Sequence, residues 1–240
     1  MFTSRDSADS GDTFTQHYRR WNFQHATAII VLVTITEFVE PRFPIIGLLA
    51  VWMIFSMVRL ARLRTISTGG SYWANILTAI RSVAAILLLI GLSFTLAGRT
   101  FESFFSQNGR WWIVGLLLLV ETTDFFDGRV ARRSSIGSFG PVWDMETDAA
   151  FAIALALVNR YMFSVGPQVL IIGLMRYFYV LLWRHERAPI PKPRIQILYS
   201  KTTAAVLVIA MIVVLAPPVG SRLREITLLI VLGMQIVSTY

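Results

Sequence analysis

The chain has no cysteine, which excludes disulfides, thiolate metal sites and thiol chemistry. Its three histidines (His17, His25 and His185) are scattered and lack an H-x-K pairing, so a transferase working through a phosphohistidine is unsupported. Charge is scarce as well: 15% of the 240 residues are charged and 55% are hydrophobic, with a mean hydropathy of +0.61. That balance belongs to integral membrane proteins. No small-residue cleavage site follows the first apolar run, so a cleaved signal peptide is not expected. Repeats and low-complexity tracts are missing too, as is the interleave of aromatic and basic residues that would mark a nucleic-acid surface. The net charge of +8 is therefore read as Arg and Lys gathered in cytoplasmic loops, facing anionic membrane lipids.

What is present is a series of apolar segments. Residues 1–23 are polar and read as a mobile tail, with Tyr18-Arg19-Arg20-Trp21 as an anchor at the membrane surface. Apolar runs at 25–39 and 43–60, joined by Glu40-Pro41-Arg42, make an accessory transmembrane or interfacial hairpin over 24–66. Six further spans are expected at 74–97, 111–130, 139–161, 165–185, 196–217 and 222–240. The expected fold is an all-α integral membrane protein, with a six-helix transmembrane core over 73–240 behind the N-terminal two-helix hairpin. Arg and Lys cluster at the N-terminus, at 59–64, at 129–133 and at 184–194, which places both termini and the turn near residue 133 in the cytoplasm. Glu37, Glu40 and the aromatic runs Phe104-Phe105 and Trp111-Trp112 read as membrane-interface residues.

The most informative stretch runs from Asp124 to Asp148 and carries two pairs of aspartates. At about 100° per helical residue, Asp124, Asp127, Gly128 and Ala131 share one face, and Gly140, Asp144 and Asp148 share a face of the next helix. The short polar turn from Arg133 to Phe139 would make these helices antiparallel neighbours, with four converging carboxylates. Small residues at 128, 131 and 140 would let the helices approach closely. Four such acids repel and need cations. Two divalent ions would offset them, and oxygen-only ligands suit Mg²⁺, Mn²⁺ or Ca²⁺ better than zinc. Pairing with Arg129, Arg132 and Arg133 is the plainer alternative, but four acids at matched spacing exceed what pairing needs. Glu121, one turn before Asp124, is either a further ligand or a satisfied polar contact.

This stretch resembles the signature of the CDP-alcohol phosphatidyltransferases, D-x-x-D-G-x-x-A-R, a spacer, then G-x-x-x-D-x-x-x-D. Asp124, Asp127, Gly128, Ala131, Arg132, Gly140, Asp144 and Asp148 fill every fixed position. The spacer before Gly140 is one residue shorter than the common form, in a turn where a deletion is readily absorbed. Ala74-Asn75-Ile76-Leu77-Thr78-Ala79-Ile80-Arg81 is similar to the P-N-x-L-T-x-x-R opening of the phosphatidylglycerophosphate synthase branch, with Ala74 in place of Pro. The resemblance covers about two-thirds of the chain and leaves the hairpin outside.

The resemblance implies transfer of a phosphatidyl group from a CDP-linked lipid such as CDP-diacylglycerol to a soluble alcohol acceptor, releasing CMP, in phospholipid biosynthesis. It implies two divalent ions, Mg²⁺ or Mn²⁺, held by Asp124, Asp127, Asp144 and Asp148, with Asp148 also the catalytic base. Gly128, Ala131, Arg132 and Gly140 would line the CDP end of the donor. Homodimers are common in the resembled family, and its compact members fit a prokaryotic plasma membrane, with the active site facing the cytoplasm. Arg81, Arg176 and Lys201 are candidates for binding an acceptor phosphate, which favours glycerol 3-phosphate or an inositol phosphate over serine, choline or ethanolamine. Arg184, Lys192 and Arg194 are better explained by topology and lipid headgroups. Two alternatives compete. A UbiA-like prenyltransferase would want N-x-x-x-D-x-x-x-D, and a divalent-cation transporter would show inverted repeats and broken helices.

Overall fold

Long apolar runs interrupted by Pro, Gly and polar clusters form helices, since a helix satisfies its own backbone hydrogen bonds where water is absent. The computed structural model describes residues 4–63, 72–98, 106–131, 139–182 and 194–239, with side chains excepted at 4–13, 72–75, 77, 123–131, 194, 195, 197 and 239. Among the described residues the structure is all-helical, with eight helices and no strand. In order these are α1 (Ser4–Phe38), α2 (Phe43–Arg62), α3 (Tyr72–Leu96), α4 (Gln107–Ala131), α5 (Phe139–Met162), α6 (Gln168–Leu182), α7 (Arg194–Val213) and α8 (Ser221–Thr239).

Helix α5 is the centre of the bundle. It packs against α3, α6 and α7, and residues 149–159 are buried apart from the partly exposed Ala152. A helix that is apolar on all sides belongs inside other helices. Its polar side chains bind its neighbours: the Asn159 side-chain amide donates to the Met211 carbonyl of α7 at 3.2 Å. Helix α4 packs on α3 and α7, and α8 on α7 and α6. Arg224 ties the α7–α8 corner by donating to the carbonyls of Val214 (2.8 Å) and Val219 (2.9 Å), with its guanidinium over the Phe163 ring.

The hairpin is attached to this core through α1 on α6 and α2 on α3. Residues 4–23, expected as a mobile tail, are helical and continuous with the apolar part of α1. The reason lies in their spacing. Phe14, Tyr18, Trp21, His25, Ile29, Val33 and Thr36 recur every three or four residues and form one stripe against the bundle. Trp21 is buried and donates to the Ser56 carbonyl at 3.1 Å, so it is not the membrane anchor expected of it. Of that tetrad, Arg19 and Arg20 are the exposed members.

Large apolar side chains cover the outside, including Leu48, Val51 and Phe55 on α2, Leu116 and Leu119 on α4, and Ile226 and Ile230 on α8. Exposed apolar area on this scale needs a nonaqueous neighbour. Among the described residues two helical stretches, Phe43–Arg62 and Thr78–Leu96, are long and apolar enough to cross a membrane, with shorter apolar helices at Gln168–Leu182 and Leu198–Val213. These features describe a membrane protein.

The α5–α6 packing is tight at Gly173, where an added Cβ would lie 2.8 Å from the Cα of Ile153. Backbone cannot swing aside as a flexible side chain can. Gly173→Leu should therefore destabilise the protein by about 1–3 kcal/mol or more. The check is the thermal unfolding midpoint in detergent, compared with Gly140→Ala, where no described atom lies within 4 Å of the added Cβ.

Candidate active site

Helices α3 and α5 bring together three of the residues singled out in the sequence. Asp144 and Asp148 stand one turn apart on α5, and the Arg81 guanidinium of α3 pairs with both. Arg81 Nη1 lies 3.4 Å from Asp144 Oδ1 and also contacts Asp148 Oδ1. Ser82 Oγ and Thr147 Oγ1 add a hydrogen bond of 2.9 Å beside them, so the two helices are joined at consecutive positions. The Arg81 side chain is 3% exposed, whereas those of Asp144 and Asp148 are 47% and 49% exposed. The cation is thus buried behind two carboxylates that face outward.

The opposite face of α5 holds a second polar cluster that sequence reasoning missed. Glu146 is completely buried, and its Oε1 accepts from Arg176 of α6 and from the Tyr18 hydroxyl of α1 at 2.6 Å. Tyr18 in turn accepts from Asn22 at 3.2 Å. Burial, reinforced by the Glu146 carboxylate, pushes the Tyr18 phenol well above its ordinary value. About two turns along α1 from Tyr18, His25 stacks on Trp21, and its Nδ1 accepts from Trp52 Nε1 at 3.2 Å and lies 2.7 Å from Ser56 Oγ. A proton on Nδ1 would block the Trp52 donor, so the tautomer with Nε2 protonated is assigned. His25 therefore joins α1 to α2.

A third cluster ties the far end of α1. Glu37 receives two hydrogen bonds from Arg160 of α5, at 3.0 and 2.9 Å, and Tyr161 Oη lies 2.8 Å from the same carboxylate. Glu37, expected at the membrane interface, is thus also paired to α5 of the core.

The remaining expected site residues are placed as follows. Asp124, Asp127, Gly128 and Ala131 lie in the last two turns of α4, where the backbone alone is described, and Arg132 lies outside the described residues. The expected convergence of their carboxylates on Asp144 and Asp148 thus also lies outside them. Gly140 is in the first turn of α5, and no close helix approach is found there among the described residues. Arg176 faces Glu146, not the aspartates. Lys201 is exposed on α7, and Glu121 is half-buried on α4. Arg184 and Lys192 lie outside the described residues.

Among the described residues no group of three or more acids or histidines gathers as a metal site. Asp144 and Asp148 nevertheless fit half of one, since they offer hard oxygen donors, one turn apart and open to the outside.

A helical membrane protein with outward carboxylates backed by a buried arginine is built to handle a charged group at the edge of an apolar bundle. The model of the CDP-alcohol phosphatidyltransferase family matches residues 71–237, well over half of the chain, and the protein belongs to that family. No curated protein and no solved structure gives a significant match. The protein is accordingly a phosphotransferase that moves a phosphatidyl group from a CDP-alcohol to an alcohol. The family is generally dependent on divalent metal, and the match does not distinguish its branches. Helices α1 and α2 precede the matched region.

The raised Tyr18 pKa has a consequence for alkaline stability. In the unfolded chain the phenol ionises near pH 10, whereas in the folded protein it holds its proton to higher pH. Its contribution is fully present below about pH 10 and is lost progressively above it. Tyr18→Phe should show a shallower fall in unfolding midpoint between pH 9 and about pH 11 than the parent, measured by circular dichroism.

Proposed function

We propose that this enzyme transfers the phosphatidyl group of CDP-diacylglycerol to the hydroxyl of a phosphorylated alcohol, glycerol 3-phosphate or an inositol phosphate, releasing CMP. The observation that carries this reading is the pair of half-exposed carboxylates, Asp144 and Asp148, against the buried Arg81 inside the family-matched region. The acceptor oxygen forms a bond to the phosphorus carried by the lipid, and the bond from that phosphorus to the CMP oxygen breaks. Asp148 takes the proton of the attacking hydroxyl, and CMP leaves with the electron pair of the broken bond. Asp144 and Asp148, with Asp124 and Asp127 from α4, would hold two divalent ions, Mg²⁺ or Mn²⁺. When bound, these offset the charge of the diphosphate and improve CMP as a leaving group.

Gly128, Ala131, Arg132 and Gly140 line the CDP end in this reading, and Arg132 acts by its fixed charge. Of the three cations considered for the acceptor phosphate, Arg81 stands nearest the aspartates, and reaching a phosphate would require it to leave its buried pairing with them. Arg176 is matched by Glu146 on the other face, and Lys201 is exposed on α7. Helices α3–α8 act as a six-span core, with α1 and α2 as the accessory hairpin. The distribution of Arg and Lys supports a cytoplasmic position for the site, in a prokaryotic plasma membrane.

Purified protein should release CMP from CDP-diacylglycerol with Mg²⁺ or Mn²⁺ when one acceptor is supplied and not with the others. Chelation by EDTA should stop the reaction and re-addition of metal restore it. Asp148→Asn should lower kcat by about 10²-fold or more. Folded protein that releases no CMP with glycerol 3-phosphate, inositol phosphate, inositol or serine would overturn this pairing of donor and acceptor and turn the search to other CDP-alcohols and other acceptors.

A further inference from the structure

Successive residues of a helix turn by about 100°, so Glu146 points about 200° away from Asp144, while Asp148 returns to within about 40° of it. The two aspartates and Glu146 therefore occupy nearly opposite faces of the same two turns. On the near face, Arg81 and Ser82 of α3 engage Asp144, Asp148 and Thr147. On the far face, Arg176 of α6 and Tyr18 of α1 engage Glu146. The aspartate-bearing end of α5 is clamped from both sides.

We propose that Glu146, Arg176 and Tyr18 are positioning residues that fix the rotation of α5, and with it the placement of Asp144 and Asp148. Helix α1, which precedes the family-matched region, thereby becomes a working part of the transferase. This inference rests on the reading of Asp144 and Asp148 as metal-binding carboxylates.

The leverage is large enough to matter. A Cα lies about 2.3 Å from the helix axis, and an aspartate carboxylate reaches roughly 5 Å from it. A rotation of about 10° then moves the carboxylate by about 0.9 Å. Misplacement on the order of 1 Å can cost about 10²-fold in rate. The clamp is also stiff. Glu146 is 0% exposed, so it cannot exchange Arg176 or Tyr18 for water, and a buried charge tolerates little departure from its partners. The Glu37–Arg160 pair holds the same α1 to the same α5, but fourteen residues along α5 from Glu146. It provides an internal control for loosening of the hairpin without loss of the clamp.

The test is Mn²⁺ binding by the purified full-length protein, followed by the electron paramagnetic resonance of free Mn²⁺, with unfolding midpoints measured in parallel. Glu146→Gln should weaken Mn²⁺ binding by about tenfold or more, the scale seen when supporting partners of metal ligands are removed. Tyr18→Phe should weaken it several-fold. Glu37→Gln should lower the unfolding midpoint and leave Mn²⁺ affinity unchanged. Normal affinity in folded Glu146→Gln and Tyr18→Phe, with binding lost in Asp144→Asn, would overturn the positioning role and leave the aspartate site standing. Equal weakening in Glu37→Gln would overturn it as well, since any loosening of the hairpin would then suffice. If Glu146→Gln does not fold, Tyr18→Phe decides alone, because it removes a single hydroxyl. Wild-type Mn²⁺ affinity in Asp144→Asn would instead strike at the underlying metal-site reading.

Discussion

A charge taken out of water among apolar helices must meet its opposite at contact distance, because desolvation of a lone ion costs several kcal/mol. Helix α5 obeys this constraint at each of its ionised positions. Asp144 and Asp148 meet Arg81 from α3, Glu146 meets Arg176 from α6, and Arg160 meets Glu37 from α1. Apolar packing alone would let these helices slide or rotate against one another at little cost. The ion pairs select one register, so three neighbours are aligned to α5 by charge as well as by shape.

The same helix sorts its acids by exposure. Glu146 is sealed between a guanidinium and a phenol, where no substrate can reach it. Asp144 and Asp148 are half open to the outside, with their counter-cation buried behind them. Half-exposed carboxylates are hard oxygen donors within reach of a cation from outside, which accords with the metal dependence general to the family.

Much of the helical layout was legible in the sequence, because apolar runs of bilayer length separated by Pro41, by Gly98 and by polar clusters admit few other readings. The shared face of Asp144 and Asp148 in the candidate site was legible too, since residues at i and i+4 lie together whatever surrounds them. Glu146 was not. It stands at an unconstrained position of the signature between two conspicuous aspartates, and its partners Tyr18 and Arg176 lie far away in the chain. The helical nature of residues 14–23 did leave a signal, the three-or-four spacing of Phe14, Tyr18, Trp21 and His25, which the polar composition of the segment obscured. The Glu37–Arg160 pair had no local signal at all, because a glutamate near a helix end looks the same whether it faces lipid headgroups or a partner.

That long separation bears on how the protein is made. Tyr18 and Glu146 are 128 residues apart, and Glu37 and Arg160 are 123 apart. At about 5–20 residues per second of synthesis, Glu37 leaves the ribosome roughly 6–25 s before Arg160. The hairpin is thus made first yet completed late. Its acid spends that interval without the arginine that later meets it, and α1 can settle only after α5 and α6 have followed. The order of synthesis and the order of assembly run in opposite directions, and the N-terminal helix is the one that waits.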